Sequence, residues 1–185
     1  MIDYISHFEN YCRETGLDVR LSFDMPAGYE TAFGTFDVVQ NTVFLNESIL
    51  QNMPEFESLF YLYHELRHAQ QYLKPELFSK ELQKSRFYVI LYNGVCYKLV
   101  GSRWKECTLE GAGEYFTHAY LSLPYELDAN TFAHKKVASI LGNSPQLQEL
   151  ASFCLPPQPL SYEELQKIFD RIDNVLVAPE QGELC

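Results

Sequence analysis

One short motif inside a long apolar periodicity constrains this chain more than any other feature. Residues 64–68 read HELRH, which has the form HExxH. Apolar residues recur at helical spacing on both sides of the motif and predict a helix from about residue 54 to residue 73, where Pro75 ends it. Because residues i and i+4 share one face of a helix, His64 and His68 are expected to lie side by side, one turn apart.

Two imidazoles in this arrangement can bind one tetrahedral ion, with zinc–nitrogen distances of ~2.0–2.1 Å. Glu65 follows the first histidine, and from beside the metal it can take a proton from zinc-bound water and deliver it to a leaving amine. The motif therefore predicts His64 and His68 as zinc ligands and Glu65 as a general base. The alternative is a coincidence without metal, and the pattern arises by chance in on the order of 1% of chains of this composition.

A catalytic zinc ion usually has three protein ligands and an open position for water, so a third ligand is expected. The candidates are Glu114, His118, Glu126, Asp128 and His134.

Helical phase separates the two acidic candidates in the helix that we predict at residues 124–141. At ~100° per residue, Glu126 lies at the centre of an apolar stripe and therefore faces the core. Asp128 lies on the opposite face, where we expect it to be solvated. The phase favours Glu126 as the third ligand, with His118 as the next candidate. The alternative for Glu126 is a first-turn glutamate that only interacts favourably with the helix dipole.

The remaining patterns predict an α+β protein. Further helices are expected at residues 2–15, 75–86 and 161–175, and strands at residues 18–23, 31–39, 42–45, 87–92, 95–100 and 104–109. Asn93-Gly94 separates two of these strands and predicts a type I′ hairpin turn, in which both residues have positive φ.

These elements predict a single domain over residues 1–177. In it a small, largely antiparallel sheet packs on the HExxH helix, with additional helices. A hairpin insertion is expected at about residues 87–109, and a flexible acidic tail at residues 178–185.

Charge and cysteine content limit the environment of the chain. The net charge is −11, which opposes binding to phosphate backbones or anionic membranes, although an acidic surface also serves solubility alone. We recognise no secretory signal and no apolar run that could span a membrane. The five cysteines form no CxxC pair, which favours free thiols and a cytoplasmic location, even where Cys96 and Cys107 face each other across a hairpin.

Three segments together resemble the ImmA/IrrE family of zinc metallopeptidases: TVFLN at residues 42–46, YHELRH at residues 63–68 and ELDANTFA at residues 126–133. The resemblance covers roughly residues 30–73 and 123–141. It implies a zincin-like (gluzincin) α+β domain in which His64, His68 and Glu126 bind zinc and Glu65 is the catalytic base. Known members of that family cleave repressor-type regulatory proteins.

The main hypothesis is thus a zinc-dependent endopeptidase that cleaves a protein or peptide with zinc-bound water. The substrate is expected to add as a strand to an exposed edge near Thr42–Leu45. The alternative is a non-catalytic zinc-containing interaction or sensor protein of the same fold. The presence of Glu65 favours the peptidase, because binding the metal does not require that carboxylate.

Overall fold

A computed structural model describes residues 2–177 as an α+β fold, with eight α-helices, one 3-10 turn (Pro75–Leu77) and six strands in this range. The helices are α1 (Tyr4–Thr15), α2 (Glu47–Leu50), α3 (Glu55–Leu73), α4 (Lys80–Ser85), α5 (Gly113–Leu121), α6 (Pro124–Leu141), α7 (Pro145–Cys154) and α8 (Tyr162–Val177). The strands are β1 (Arg20–Ser22), β2 (Gly34–Asp37), β3 (Thr42–Leu45), β4 (Tyr88–Ile90), β5 (Val95–Val100) and β6 (Arg103–Thr108).

The chain groups into two compact units. The first contains the residues up to Ser79 together with Leu127–Leu155, and the second contains Lys80–Glu126 and the residues from Pro156 onward. The boundary near residue 126 falls inside the continuous helix α6. The single-domain interpretation stays a prediction, and the expected acidic tail lies outside the described residues.

In the first unit, a three-stranded mixed sheet has the order β1-β3-β2. β1 pairs with β3 in parallel and β2 pairs with β3 antiparallel, so the sheet is not mainly antiparallel as expected. All four residues of β3 are buried, and both of its edges are occupied. β3 (Thr42–Leu45) therefore offers no free edge, and the edge strands next to it are β1 and β2. Addition of a peptide near Thr42–Leu45 stays a prediction.

The HExxH helix α3 packs against β2, β3 and α1, and its bounds confirm the predicted helix. α1 ends at Thr15, and Gly16 follows it as a cap with a left-handed φ of 62°. The buried stripe of α1 runs through Tyr4, Phe8 and Tyr11. Ile5 lies next to this stripe on the helix surface and is 55% exposed.

In the second unit, β4, β5 and β6 form an antiparallel meander that contacts α5 and α8. The predicted type I′ turn is wrong, because Gly94 has a positive φ of 83° and Asn93 does not. Instead, the Leu91 N–H donates to the Val95 carbonyl (2.8 Å) and the Gly94 N–H donates to the Leu91 carbonyl (2.9 Å). The strands are thus joined by a three-residue loop that ends in a left-handed glycine.

Several shorter helices differ from expectation. α2, α5 and α7 were not predicted, and the helix expected at residues 75–86 is divided into a 3-10 turn and α4. α6 agrees with the predicted residues 124–141, and the capping box of α8 is present: the Ser161 backbone N–H donates to the Glu164 carboxylate (2.8 Å). No helix in residues 2–177 is long and apolar enough to cross a membrane.

The loop glycine yields a stability prediction. A Cβ at Gly94 would lie 2.5 Å from the Leu109 carbonyl oxygen and 2.9 Å from Phe116 Cε2, in addition to the strain of a left-handed backbone. We expect Gly94→Ala to lower the free energy of unfolding by about 3 kcal/mol, as backbone strain and overpacking add. The matched control is Gly101→Ala, where φ is +64° and no atom lies within 4 Å. It should cost only ~1–2 kcal/mol. Equal costs in chemical denaturation would contradict the crowding at Gly94.

Candidate metal centre

Helix α3 brings the two motif histidines into direct contact. The Nε2 atoms of His64 and His68 are 2.9 Å apart, and the rings meet edge to face with centroids 4.4 Å apart. Their exposed fractions are 9% and 8%, and the His64 ring also stacks on Phe60. The i, i+4 spacing therefore directs two imidazole nitrogens to one buried point, as the motif predicts.

Helix α6 adds a carboxylate to this pair. It begins at Pro124, so Glu126 lies in its first turn, and Ala129 and Ala133 continue the buried face. Glu126 is 4% exposed, and ligand atoms of His64, His68 and Glu126 all lie within 4.8 Å of one another. Glu126, which helical phase favours as the third ligand, therefore lies close to both histidines.

The other candidates for third ligand lie elsewhere. The His118 Nε2 atom is 2.8 Å from the Gln158 carbonyl oxygen, so it carries the proton and donates that hydrogen bond. Glu114 is exposed at the start of α5, and His134 is half-buried two turns beyond Glu126. Within residues 2–177, the triad of His64, His68 and Glu126 is the one group of three potential ligands that comes together.

The donor set of this triad fits a zinc ion. Two imidazole nitrogens and a carboxylate oxygen are ligands that zinc accepts at ~2.0–2.2 Å, and ligands of a tetrahedral ion at these distances are about 3.3 Å apart. The observed separations, 2.9 Å between the imidazole nitrogens and at most 4.8 Å within the triad, bracket this value. Burial also favours the ion, because polar groups that converge in a core need compensation.

Glu65 follows His64 in α3 and is also buried, with an exposed fraction of 7%. Strand β2 leaves room for it with a glycine: a Cβ at Gly34 would lie 2.9 Å from Glu65 Cγ and 3.0 Å from the Phe44 carbonyl oxygen. Gly34 pairs with Leu45 of β3, and the other side of β2 is an edge of the sheet. The backbone of an edge strand therefore passes directly against the candidate general base.

A polar network lies behind the histidines, and the sequence did not predict it. Arg67 donates to both Asp128 oxygens, from Nε at 2.7 Å and from Nη2 at 3.0 Å. The Gln71 amide donates to Asp128 Oδ2 (2.8 Å), and its Oε1 is 2.9 Å from His68 Nδ1. The network continues through Gln70, whose Oε1 accepts from Arg67 Nη1 at 2.7 Å.

The ion pair corrects the expectation that Asp128 lies on a solvated face. Its side chain is 27% exposed, because Arg67 reaches it from α3. The guanidinium lies 4.7 Å from the ring centroids of both Phe78 and Phe132. Burial acts to lower the pKa of Arg67, but the hydrogen bonds and charge of Asp128 outweigh burial and raise it.

The cysteines take no part in this site. Cys12, Cys96 and Cys107 are free thiols, and Cys96 and Cys107 are directly opposed in the β5–β6 pair, as expected. Burial raises the pKa of Cys96 to about 12, with a further contribution from Cys107, which argues against a nucleophilic thiolate there. Cys185 lies outside the described residues.

Comparison of the chain with protein-family models, curated proteins and solved structures finds no match. The resemblance to the ImmA/IrrE family is therefore carried by the three sequence segments alone.

The triad makes a direct prediction about zinc. His68→Ala and Glu126→Ala should each abolish stoichiometric zinc binding, because the two ligands left in each variant do not hold the ion against water and chelators. The matched control is His118→Ala, which removes a histidine bound to a backbone carbonyl. Competition with a chromophoric chelator, on protein purified without a histidine tag, ranks the three variants. Loss of zinc from His118→Ala with retention in Glu126→Ala would mean that the third ligand is misassigned.

Proposed function

We propose that this protein is a zinc-dependent endopeptidase in which His64, His68 and Glu126 bind the metal and Glu65 is the general base. The observation that carries the proposal is the buried convergence of two imidazoles and a carboxylate next to Glu65. The resemblance of residues 42–46, 63–68 and 126–133 to the ImmA/IrrE family supports the same assignment.

The role of Glu65 follows from its place on α3. It is adjacent to His64 in sequence, so the helix turns its side chain ~100° away from that ligand. A zinc ion held by His64, His68 and Glu126 would supply Lewis-acid chemistry, lowering the pKa of a bound water to ≈ 7 and polarising a substrate carbonyl. Glu65 accepts the proton of the attacking water and transfers it to the amide nitrogen of the leaving group. The Glu65 carboxylate is required for this proton transfer and is not required for holding the metal.

Strand β2 supports a peptide as the substrate. It is an edge strand, and an extended chain can add to such an edge through main-chain hydrogen bonds. Gly34 lies on this strand against Glu65, so a peptide that adds at Gly34 brings a backbone amide towards the general base. We therefore propose β2 as the exposed edge near Thr42–Leu45 to which the substrate adds.

The decisive variant is Glu65→Gln. We expect it to keep one equivalent of zinc and to lose hydrolysis by ~10²–10⁴-fold, because the amide preserves the shape but does not accept the proton. The measurement compares new peptide termini across the proteome of cells that express wild type or Glu65→Gln. Identical termini, with both proteins loaded with zinc, would contradict the peptidase and favour the non-catalytic sensor.

The glycine beside Glu65 gives a second test of this site. Gly34→Ala places a methyl group against Glu65 Cγ and should suppress cleavage while zinc affinity changes little. The matched control is Thr35→Ala, because the next residue of a strand points to the opposite face. The same comparison of peptide termini, together with zinc titration, distinguishes the two variants. Full cleavage by Gly34→Ala would show that β2 does not border the reacting centre.

A further inference from the structure

A chain of hydrogen bonds leads from Arg67 to His68 Nδ1, the ring nitrogen that does not face His64. Arg67 holds the Asp128 carboxylate with two hydrogen bonds, Asp128 Oδ2 accepts the Gln71 amide at 2.8 Å, and Gln71 Oε1 is 2.9 Å from His68 Nδ1. Gln71 is fully buried between these two contacts, so its amide has little freedom to turn. Asp128, Gln71 and His68 thus form a relay, which Arg67 anchors.

The donor and acceptor capacity of each group fixes the direction of this relay. A carboxylate paired with arginine only accepts, so the Gln71 nitrogen must face Asp128 and its oxygen must face His68. An amide oxygen also only accepts, so His68 Nδ1 must carry the proton. A neutral imidazole has one protonated nitrogen, so His68 Nε2 presents its lone pair towards His64.

We propose that Arg67, Asp128 and Gln71 are positioning residues that hold His68 in the Nδ1–H tautomer, so that Nε2 is ready to bind zinc. Because the relay acts on a ligand of the metal centre, this role rests on the proposed function. It assigns a task to Arg67 and Gln71, which the HExxH motif does not explain. The ion pair between Arg67 and Asp128 also links α3 to α6, two residues after Glu126.

Three further contacts, to Phe78, Phe132 and Gln70, hold the Arg67 side chain in place. The Arg67 guanidinium lies over two aromatic rings, which fixes its plane. Its remaining nitrogen donates to Gln70 Oε1, which also accepts the Tyr11 hydroxyl at 3.0 Å. Burial raises the pKa of Tyr11 to about 12, so its hydroxyl stays protonated as a donor. Arg67 is therefore held in one orientation, and the polarity of the relay follows from it.

The test uses two single variants that interrupt the relay and one double variant that restores an acceptor for the His68 proton. Gln71→Met is similar in size and removes the acceptor of the His68 proton. Asp128→Ala leaves Gln71 but removes the group that orients it. In the double variant Gln71→Glu with Asp128→Ala, the carboxylate moves to position 71, where it accepts from His68 without needing orientation. The matched control is Asp173→Ala, which breaks a part-buried ion pair with Lys98 (2.6 Å) on β5.

Two readouts are measured on these proteins. The first is zinc affinity by competition with a chromophoric chelator. The second is the His68 tautomer in zinc-free protein, from the ¹⁵N chemical shifts of its ring. We expect zinc affinity to fall by about 10–100-fold in Gln71→Met and about tenfold in Asp128→Ala, and to return to within about threefold in the double variant. Asp173→Ala should bind zinc like wild type.

The tautomer readout decides the relay independently of zinc. Wild type and the double variant should show protonated Nδ1, and Gln71→Met should show a mixture. Protonated Nε2 in wild type would overturn the relay. So would unchanged zinc affinity in both single variants, or failure of the double variant to recover while its thermal unfolding matches that of Asp128→Ala. Absence of zinc binding by wild type, with His68 protonated at Nδ1, would overturn the proposed function and leave the relay supported.

Discussion

Two imidazole nitrogens lie 2.9 Å apart on the buried face of one helix, and the other contacts of the site hold them in this arrangement. Each histidine is about nine-tenths buried, and a buried polar group without compensation is costly. Gln71 engages the far nitrogen of His68, and Glu126 comes to the near side of the pair. The i, i+4 spacing and the approach of Glu126 bring these nitrogen and oxygen atoms together. A bound cation would be stabilised by their lone pairs and by the carboxylate charge.

The sheet of the first unit serves the same helix from the other side. β3 is fully buried and fixes the position of β2, whose Gly34 has no side chain where Glu65 requires space. An alanine there would crowd both the Glu65 side chain and the Phe44 carbonyl. One residue without a side chain thus lets an edge strand and a carboxylate occupy adjacent positions, as the proposed addition of a peptide next to Glu65 requires.

The parts of the site that depend on local periodicity were predictable. α3, β3 and α6 were predicted within a residue or two of their bounds, and helical phase selected Glu126. The prediction that Asp128 is solvated was wrong because helical phase depends only on the residues of the same helix. Arg67, which contacts Asp128, comes from another helix. The pairing of β1 with β3 is likewise non-local and leaves no trace in either strand. α7 had a usable local signal, since Ser144 caps it and Pro145 occupies its first turn.

X-ray absorption at the zinc edge, on untagged protein loaded with one equivalent of zinc, tests the metal centre most directly. The account predicts a first shell of nitrogen and oxygen only, at ~2.0–2.1 Å, with the outer-shell scattering of two imidazoles. A shell that contains sulfur at ~2.3 Å, or fewer than two imidazoles, would contradict the assignment of His64, His68 and Glu126 as the ligands.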